Sequence, residues 1–261
     1  MTAKEFKSLC KMTFSQIFSK AKDENERQFL TSFFAIFKKF NYNMLSYIID
    51  FEFQEVLEFF NTYNLIQLAD EVDNKTKTRT RILLYCHIIE VDIIYLILFN
   101  MLRTIKGNDY STLITFKNKK GDLQEAVYAY KKIELLNKES ADIGIELKPI
   151  YNELYFNQIR NAFNHSQYYL DPDGDFLISK YLSPTSSSVF KNSGKKDYFK
   201  FDEIKELFDK SEAYLESFID TYRQFNDRYA DGKPYPTLFG DIYYDRKHGW
   251  GFYANKPEIR P

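Results

Sequence analysis

Glycine is what this sequence does without. Only nine occur in 261 residues, and none precedes Gly107. Glycine supplies the left-handed backbone that tight turns demand. The region before Gly107 therefore excludes a turn-rich β architecture and reads as helices. Cysteine is scarce too. Cys10 and Cys86 have no paired spacing, which excludes a disulfide framework and suits a reducing, cytoplasmic compartment. Histidine appears only at positions 87, 165 and 248, which leaves few ways to build a metal site. Neither charge sign dominates: 36 basic residues face 37 acidic ones, for a net charge of −1. That excludes a global electrostatic footprint for nucleic acid, so any RNA must be held by a local patch. The N-terminus, MTAKEFKSLCKMTF, lacks the apolar core of a signal peptide. There is no Gly-rich phosphate loop, no Cys/His metal spacing and no nucleophile elbow.

What the chain has is aromatic mass. Its 25 Phe and 21 Tyr, within a hydrophobic content of 44%, are ample for a core. Helical spacing organises them from the start. Phe6, Leu9, Cys10, Phe14, Ile17 and Phe18 lie near one stripe. A second helix is expected over NERQFLTSFFAIFKKF, after a start signal at Asp23 and ending in a basic turn. A third, from MLSYIIDFEF to ADEV, is expected to break near Asn61 to Asn64. Residues 76–106 form the most apolar segment and predict one helix, closed by basic Arg103 and Lys106 and by Gly107. Its run Ile82–Phe99 invites a membrane reading. His87, Glu90 and Asp92 near its centre are costly in lipid, so a buried central helix and no membrane partner are expected.

The later chain alternates. Residues 107–122 read as a polar loop with Lys117, Lys119, Lys120 and Gly121, and DLQEAVYAYKKIELLNKE as an amphipathic helix. ESADIGIELKP is a short linker. SQYYLDPDGDFLISKYL predicts a hairpin turning at Asp171-Pro172-Asp173-Gly174. The Asp171, Asp173, Asp175 spacing is not a calcium loop, because Gly174 stands fourth and Leu182 twelfth, where Gly is needed sixth and Glu twelfth. A Ser-rich loop follows. FDEIKELFDKSEAYLESFIDTYRQFNDRY is a long helix capped at Asp202 or its neighbour. DIYYDRKHGWGFYA predicts a second hairpin near His248-Gly249, with His248 a turn residue.

One stretch concentrates chemistry: Pro149 to His165, PIYNELYFNQIRNAFNH. Pro149 suits the first turn of a helix. At about 100° per residue, Phe156, Ile159, Ala162 and Phe163 share one side. Glu153, Asn157, Arg160, Asn161, Asn164 and His165 share the other. Arg160 and His165 diverge by about 140° and mark the margins of one polar arc. A solvated surface would read the same way. Yet Asn is a mediocre helix former that a plain surface does not favour. Arg and His also pair a permanent, planar cation with a proton donor and acceptor near neutral pH.

The hexapeptide Arg160-Asn161-Ala162-Phe163-Asn164-His165 reads R-N-x-x-x-H and resembles the signature of the HEPN superfamily. Many of those helical-bundle proteins are metal-independent ribonucleases of toxin–antitoxin, abortive-infection and CRISPR systems. The resemblance covers the middle and later chain. It implies a mainly α fold with a HEPN-like bundle over 76–230; outside it, residues 1–75 read as an N-terminal helical extension and 231–261 as an aromatic tail with a hairpin. It also implies RNA cleavage by 2′-hydroxyl attack, with Arg160, Asn161 and His165 as the catalytic set. No metal or other cofactor is expected. RNA is the expected partner, in a homodimer that brings two motifs together, with an antitoxin or regulatory partner also expected. Glu90 and His87, three apart on the apolar helix, and Asn157 and Asn164 beside the motif, are expected to support it. Glu90 would hold Arg160 or His165 across the bundle, since a buried carboxylate needs a partner. Two rivals stand beside cleavage: a catalytically silent module that holds RNA or a nucleotide, and a partner-held interaction subunit.

Overall fold

Phenylalanine spaced at helical intervals builds the central seam of this computed structural model, which describes residues 1–36, 51–170, 176–178, 198–245 and 249–254. Helix α1 (Ala3–Glu24) starts on a reciprocal cap: Thr2 Oγ1 accepts from the Glu5 N–H at 3.3 Å, and the Glu5 carboxylate accepts from the Thr2 N–H at 2.8 Å. Its stripe of Phe6, Cys10, Phe14, Ile17 and Phe18 is fully buried. Helix α9 (Phe201–Tyr229) lies along it. Phe14 meets Tyr214 and Phe218 edge-on at 5.5 and 5.9 Å, and Phe18 meets Phe225 at 5.3 Å. These are the offset geometries that aromatic quadrupoles favour. Helix α2 (Glu26–Phe33) starts at Asn25, not at Asp23, which lies inside α1. Asn25 Oδ1 accepts from the Gln28 N–H at 3.0 Å, so one residue both ends α1 and caps α2. A 3₁₀ turn, Phe34–Ile36, follows; the basic residues expected to close that helix lie outside the described residues.

Helix α3 (Phe51–Leu68) runs unbroken through Asn61 to Asn64, where a break was expected. The apolar segment behaves in the opposite way. It is two helices, α4 (Asn74–Glu90) and α5 (Asp92–Ile105), parted at Val91, whose backbone is extended with φ −63° and ψ 103°. The Tyr95 hydroxyl donates to the Ile89 carbonyl at 2.7 Å, which satisfies a carbonyl orphaned by the break. Asp92 sits in the first turn of α5 and pairs with the buried Lys132 ammonium. By length and apolarity the stretch Asn74–Ile105 could cross a membrane, yet 78% of its most apolar window is buried inside the fold. Residues 1–36 share that interior: α1 and α2 both pack on α5.

Residues 107–128 are not a plain loop leading into a helix. Strands β1 (Thr115–Lys117) and β2 (Leu123–Glu125) pair antiparallel, with Thr115 opposite Glu125. Asn118 Oδ1 shapes their turn by accepting from the Lys120 and Asp122 N–H groups at 2.8 and 3.0 Å. Helix α6 (Ala129–Ala141) starts only after this hairpin and packs on α5. Two further sheets are small and antiparallel. One orders β3 (Tyr168–Leu170), β4 (Phe176–Ile178) and β5 (Tyr198–Phe199). The other orders β6 (Tyr235–Pro236), β7 (Gly240–Asp245) and β8 (Gly249–Ala254). Both predicted hairpins thus have paired strands, Tyr168 with Ile178 and Asp245 with Gly249. The Asp171 to Gly174 turn, the Ser-rich loop and His248 lie outside the described residues. Side chains of α2 hold the backbone of the tail: Arg27 Nε donates to the Thr237 carbonyl at 3.0 Å, and the Leu238 N–H to Thr31 Oγ1 at 2.9 Å.

A candidate site at the Arg160 helix

The stretch 149–165 is not one helix. Helix α7 (Lys148–Leu154), with Pro149 in its first turn, stops at Tyr155, and α8 (Asn157–Asn164) restarts after Phe156. Both joining residues are extended, at φ −98°, ψ 110° and φ −118°, ψ 92°. A third element holds the break open. The Tyr85 hydroxyl, from α4, accepts from the Phe156 N–H at 2.8 Å and donates to the Leu154 carbonyl at 3.1 Å. Two backbone groups that a continuous helix would have satisfied internally are thereby paired. Burial holds the Tyr85 phenol well above its ordinary range, so it keeps the proton it donates.

The break divides the predicted polar arc. Glu153 belongs to α7 and is turned to α9, where its carboxylate accepts from Lys210 Nζ at 2.6 Å. Lys210 is buried and also donates to Glu206 at 2.7 Å. Burial pulls its ammonium down, and the two carboxylates more than reverse that, leaving it raised. Helix α8 carries the rest. Ile159 and Ala162 are buried, Phe163 stacks on Tyr168 at 5.5 Å, and Phe156 meets Phe199 edge-on at 6.1 Å.

Arg160 then faces α4. Its Nε donates to Glu90 Oε1 at 2.6 Å, and its Nη1 to Asn161 Oδ1 at 3.0 Å. The expected approach of Glu90 to the motif is present in the geometry. Both side chains are partly shielded, at 23% exposure for Arg160 and 33% for Glu90. Among the described residues Nη2 has no hydrogen bond, so part of the guanidinium's donor capacity is unused there. Their charges reach the groups below. Burial pushes the Cys86 thiol up to about 12, with Glu90 adding to the shift and Arg160 opposing it. Burial likewise raises the Tyr155 phenol, against the pull of Arg160. Neither Cys86 nor Tyr155 is a proton carrier near neutral pH.

His165 is the C-cap of α8, exposed, with φ −99° and ψ 8°. The next residue, Ser166, has φ +54°, a left-handed conformation. Around it the Gln167 N–H donates to the Ala162 carbonyl at 2.8 Å and the Ser166 N–H to the Phe163 carbonyl at 3.0 Å. That pattern is a Schellman closure, and it fixes the direction in which the chain leaves His165.

The other expected residues divide. Asn161 lies against Arg160 rather than His165. Asn157 opens α8 and accepts from the Tyr155 hydroxyl at 3.2 Å. Asn164 ends α8 and is exposed. His87 is exposed beside Phe59 of α3, at 5.7 Å between rings, and makes no hydrogen bond to Glu90 or Arg160. Sequence reasoning missed Tyr85 and Tyr155. The available signal was chemical rather than periodic: a tyrosine inside an apolar run needs a partner for its hydroxyl. Among the described residues, no three His, Cys, Asp or Glu side chains cluster as a metal-ligand set. Comparison with protein-family models, with curated proteins and with solved structures yields no match.

Proposed function

We propose that this chain is a metal-independent endoribonuclease of the HEPN kind, a toxin or antiviral defence effector that acts as a cytoplasmic homodimer. One observation carries the proposal: Arg160 is held by Glu90 at 2.6 Å, with Nη2 making no hydrogen bond among the described residues, on the same short helix that ends in exposed His165. A preset cation beside an accessible imidazole suits phosphodiester chemistry. The RNA 2′-hydroxyl gives its proton to His165 of one copy and attacks the adjacent phosphorus. The P–O5′ bond breaks, and the leaving 5′-oxygen takes a proton from His165 of the other copy. Arg160 holds the phosphate and offsets the charge gathering on its oxygens. Asn161 keeps the guanidinium in plane. The products carry a 2′,3′-cyclic phosphate and a 5′-hydroxyl. One α8 supplies a single imidazole, so separate base and acid call for two copies, their two-fold axis near the ends of α8.

The test is incubation with single-stranded RNA in EDTA. Cleavage to cyclic-phosphate ends is expected, with DNA left intact because it lacks the 2′-hydroxyl. His165→Ala and Arg160→Ala should each lower the rate about 10²–10⁴-fold without unfolding the protein. Cleavage that survives both substitutions would overturn the proposal. The double engagement of Arg160, by Glu90 and by Asn161, favours a second reading: a silent HEPN-like module that binds RNA without cutting it. Intact RNA that still binds wild-type protein in an Arg160-dependent way would select it.

A further inference from the structure

Two tyrosines at the start of α6 are exposed where burial would be expected. Tyr128 is 58% and Tyr130 37% exposed, and their rings lie stacked, 5.8 Å apart and within 14° of parallel. Val127, next to Tyr128 in sequence, is also exposed. Large apolar faces left in water together mark a surface with a use. The sequence leading into them is cationic: residues 117–132 hold Lys117, Lys119, Lys120, Lys131 and Lys132 against Asp122 and Glu125, in a chain whose net charge is −1. Lys131 and Lys132 are already engaged, with Glu134 and Asp92, while Lys117, Lys119 and Lys120 are exposed on the hairpin.

Two ion pairs connect the start of α6 to the Arg160 helix. Lys132, two residues past Tyr130, binds Asp92 at the α4–α5 break. Glu90, at the other side of that break, binds Arg160. From the other direction, burial raises the Tyr155 phenol with Tyr130 adding to the rise, and Tyr155 donates to Asn157, the first residue of α8.

We propose that Tyr128 and Tyr130 form a stacking platform for an unpaired base of single-stranded RNA whose backbone continues to Arg160. This rests on the ribonuclease proposal and names its substrate: looped or single-stranded RNA rather than duplex. Every base offers a π face, so such a platform is tolerant of sequence. A base within a duplex is already stacked on both faces and cannot use it. The exposed lysines of the hairpin supply the salt-dependent contact to phosphate.

The probe is a 5′-fluorescein oligouridine, titrated in EDTA against the full chain carrying His165→Ala, read by anisotropy. Tyr128→Ala with Tyr130→Ala should weaken binding about tenfold or more, the size of effect that a stacking ring carries. Tyr128→Phe with Tyr130→Phe keeps the rings and should bind within about twofold of the parent. A duplex RNA of equal length should show no dependence on the tyrosines. Circular dichroism checks that each variant is folded. If the alanine pair binds oligouridine as tightly as the parent, the platform is overturned, whatever the fate of the cleavage assay. If wild-type protein fails to cut RNA while binding keeps its tyrosine dependence, the platform stands and the ribonuclease proposal falls. Duplex bound through the same tyrosines would also overturn it.

Discussion

Helices α7 and α8 make an instructive pair, because the sequence presents them as one element and the fold gives them opposite tasks. The carboxylate of α7, Glu153, is spent on Lys210, a buried cation shared with Glu206. The cation of α8, Arg160, has one carboxylate, Glu90, and an Nη2 without a hydrogen bond among the described residues. A saturated cluster is structural: each charge has its partner, and nothing is left for a ligand. A half-satisfied one keeps donor capacity that the fold itself does not use. The difference arises at two residues, Tyr155 and Phe156, where the backbone turns extended and lets α8 face α4 while α7 faces α9.

The sharpest way to break the comparison is to neutralise the two carboxylates separately. Glu90→Gln leaves Arg160 with a neutral partner and a looser position. RNA cleavage should fall by up to about 10²-fold, the scale of an ångström-level misplacement, while the thermal midpoint moves little. Glu153→Gln should do the reverse, lowering the thermal midpoint and leaving cleavage within about twofold. A Glu153→Gln protein as impaired in cleavage as Glu90→Gln would show that the two helices act as one unit.

Tyr85→Phe attacks the break itself. It removes the hydroxyl that serves both Phe156 N–H and Leu154 C=O. Leaving buried backbone groups unpaired should cost about 1–3 kcal/mol, read from denaturant unfolding. Faster hydrogen exchange at Phe156 than at Ile159 would localise the damage to the junction. An unchanged unfolding midpoint would mean that the break is kept by its neighbours alone.

These breaks mark where sequence reasoning stopped. The stripes of α1 and α9 were legible, since Phe6, Phe14 and Phe18 repeat at the helical period and the core they enter needs nothing else. The candidate residues Arg160 and His165 were legible as types, and Glu90 as a partner, because a charge inside an apolar run must find its opposite. The interruptions at Val91 and at Tyr155–Phe156 were not. Each is closed by a tyrosine hydroxyl, Tyr95 reaching back six residues and Tyr85 reaching across from α4, and no local period encodes such contacts. Even the continuous α3 misled, because Asn61 and Asn64 read as breakers where the helix simply runs through them. The hairpin at 115–125 was hidden by its own brevity, three residues per strand around a polar turn.

The α9 side of the comparison has a pH signature. Glu212 lies two residues from Lys210, yet no Lys or Arg forms an ion pair with it among the described residues. Burial pushes its carboxyl up to about 7 from 4.5, with Asp209 and Glu216 adding to the shift and Arg81 and Lys205 opposing it. A carboxyl raised in the folded state favours the fold while protonated in it. Its stabilisation is therefore complete below about pH 4.5 and is lost as pH rises through about 7. Glu212→Gln should stabilise the protein at pH 8 by about 1 kcal/mol, less than the full shift because solvent screens this half-buried side chain, with the advantage shrinking towards pH 5. Thermal melts across that range would show it. A constant difference at every pH would remove the assignment.

The smallest expected effect lies at the exit from α8. Among the described residues three helices close on the same hydrogen-bond pattern around a left-handed residue. Gly107 fills that position after α5, Gly144 after α6 and Ser166 after α8. Two of the three are glycine, for which a positive φ carries no Cβ penalty; serine bears roughly 1–2 kcal/mol for the same angle. Glycine gives part of this back through the entropy of the unfolded chain. Ser166→Gly should thus be neutral to about 1 kcal/mol stabilising, with cleavage unchanged because the path of the chain past His165 is the same. Gly107→Ser is the converse. A Cβ there meets no atom within 4 Å, so its cost is conformational alone, about 1 kcal/mol destabilising. Denaturant melts of the two variants should therefore move in opposite directions. If Ser166→Gly instead destabilised the protein, the serine side chain would have to hold the exit from α8, and His165 would be positioned by more than the Schellman closure.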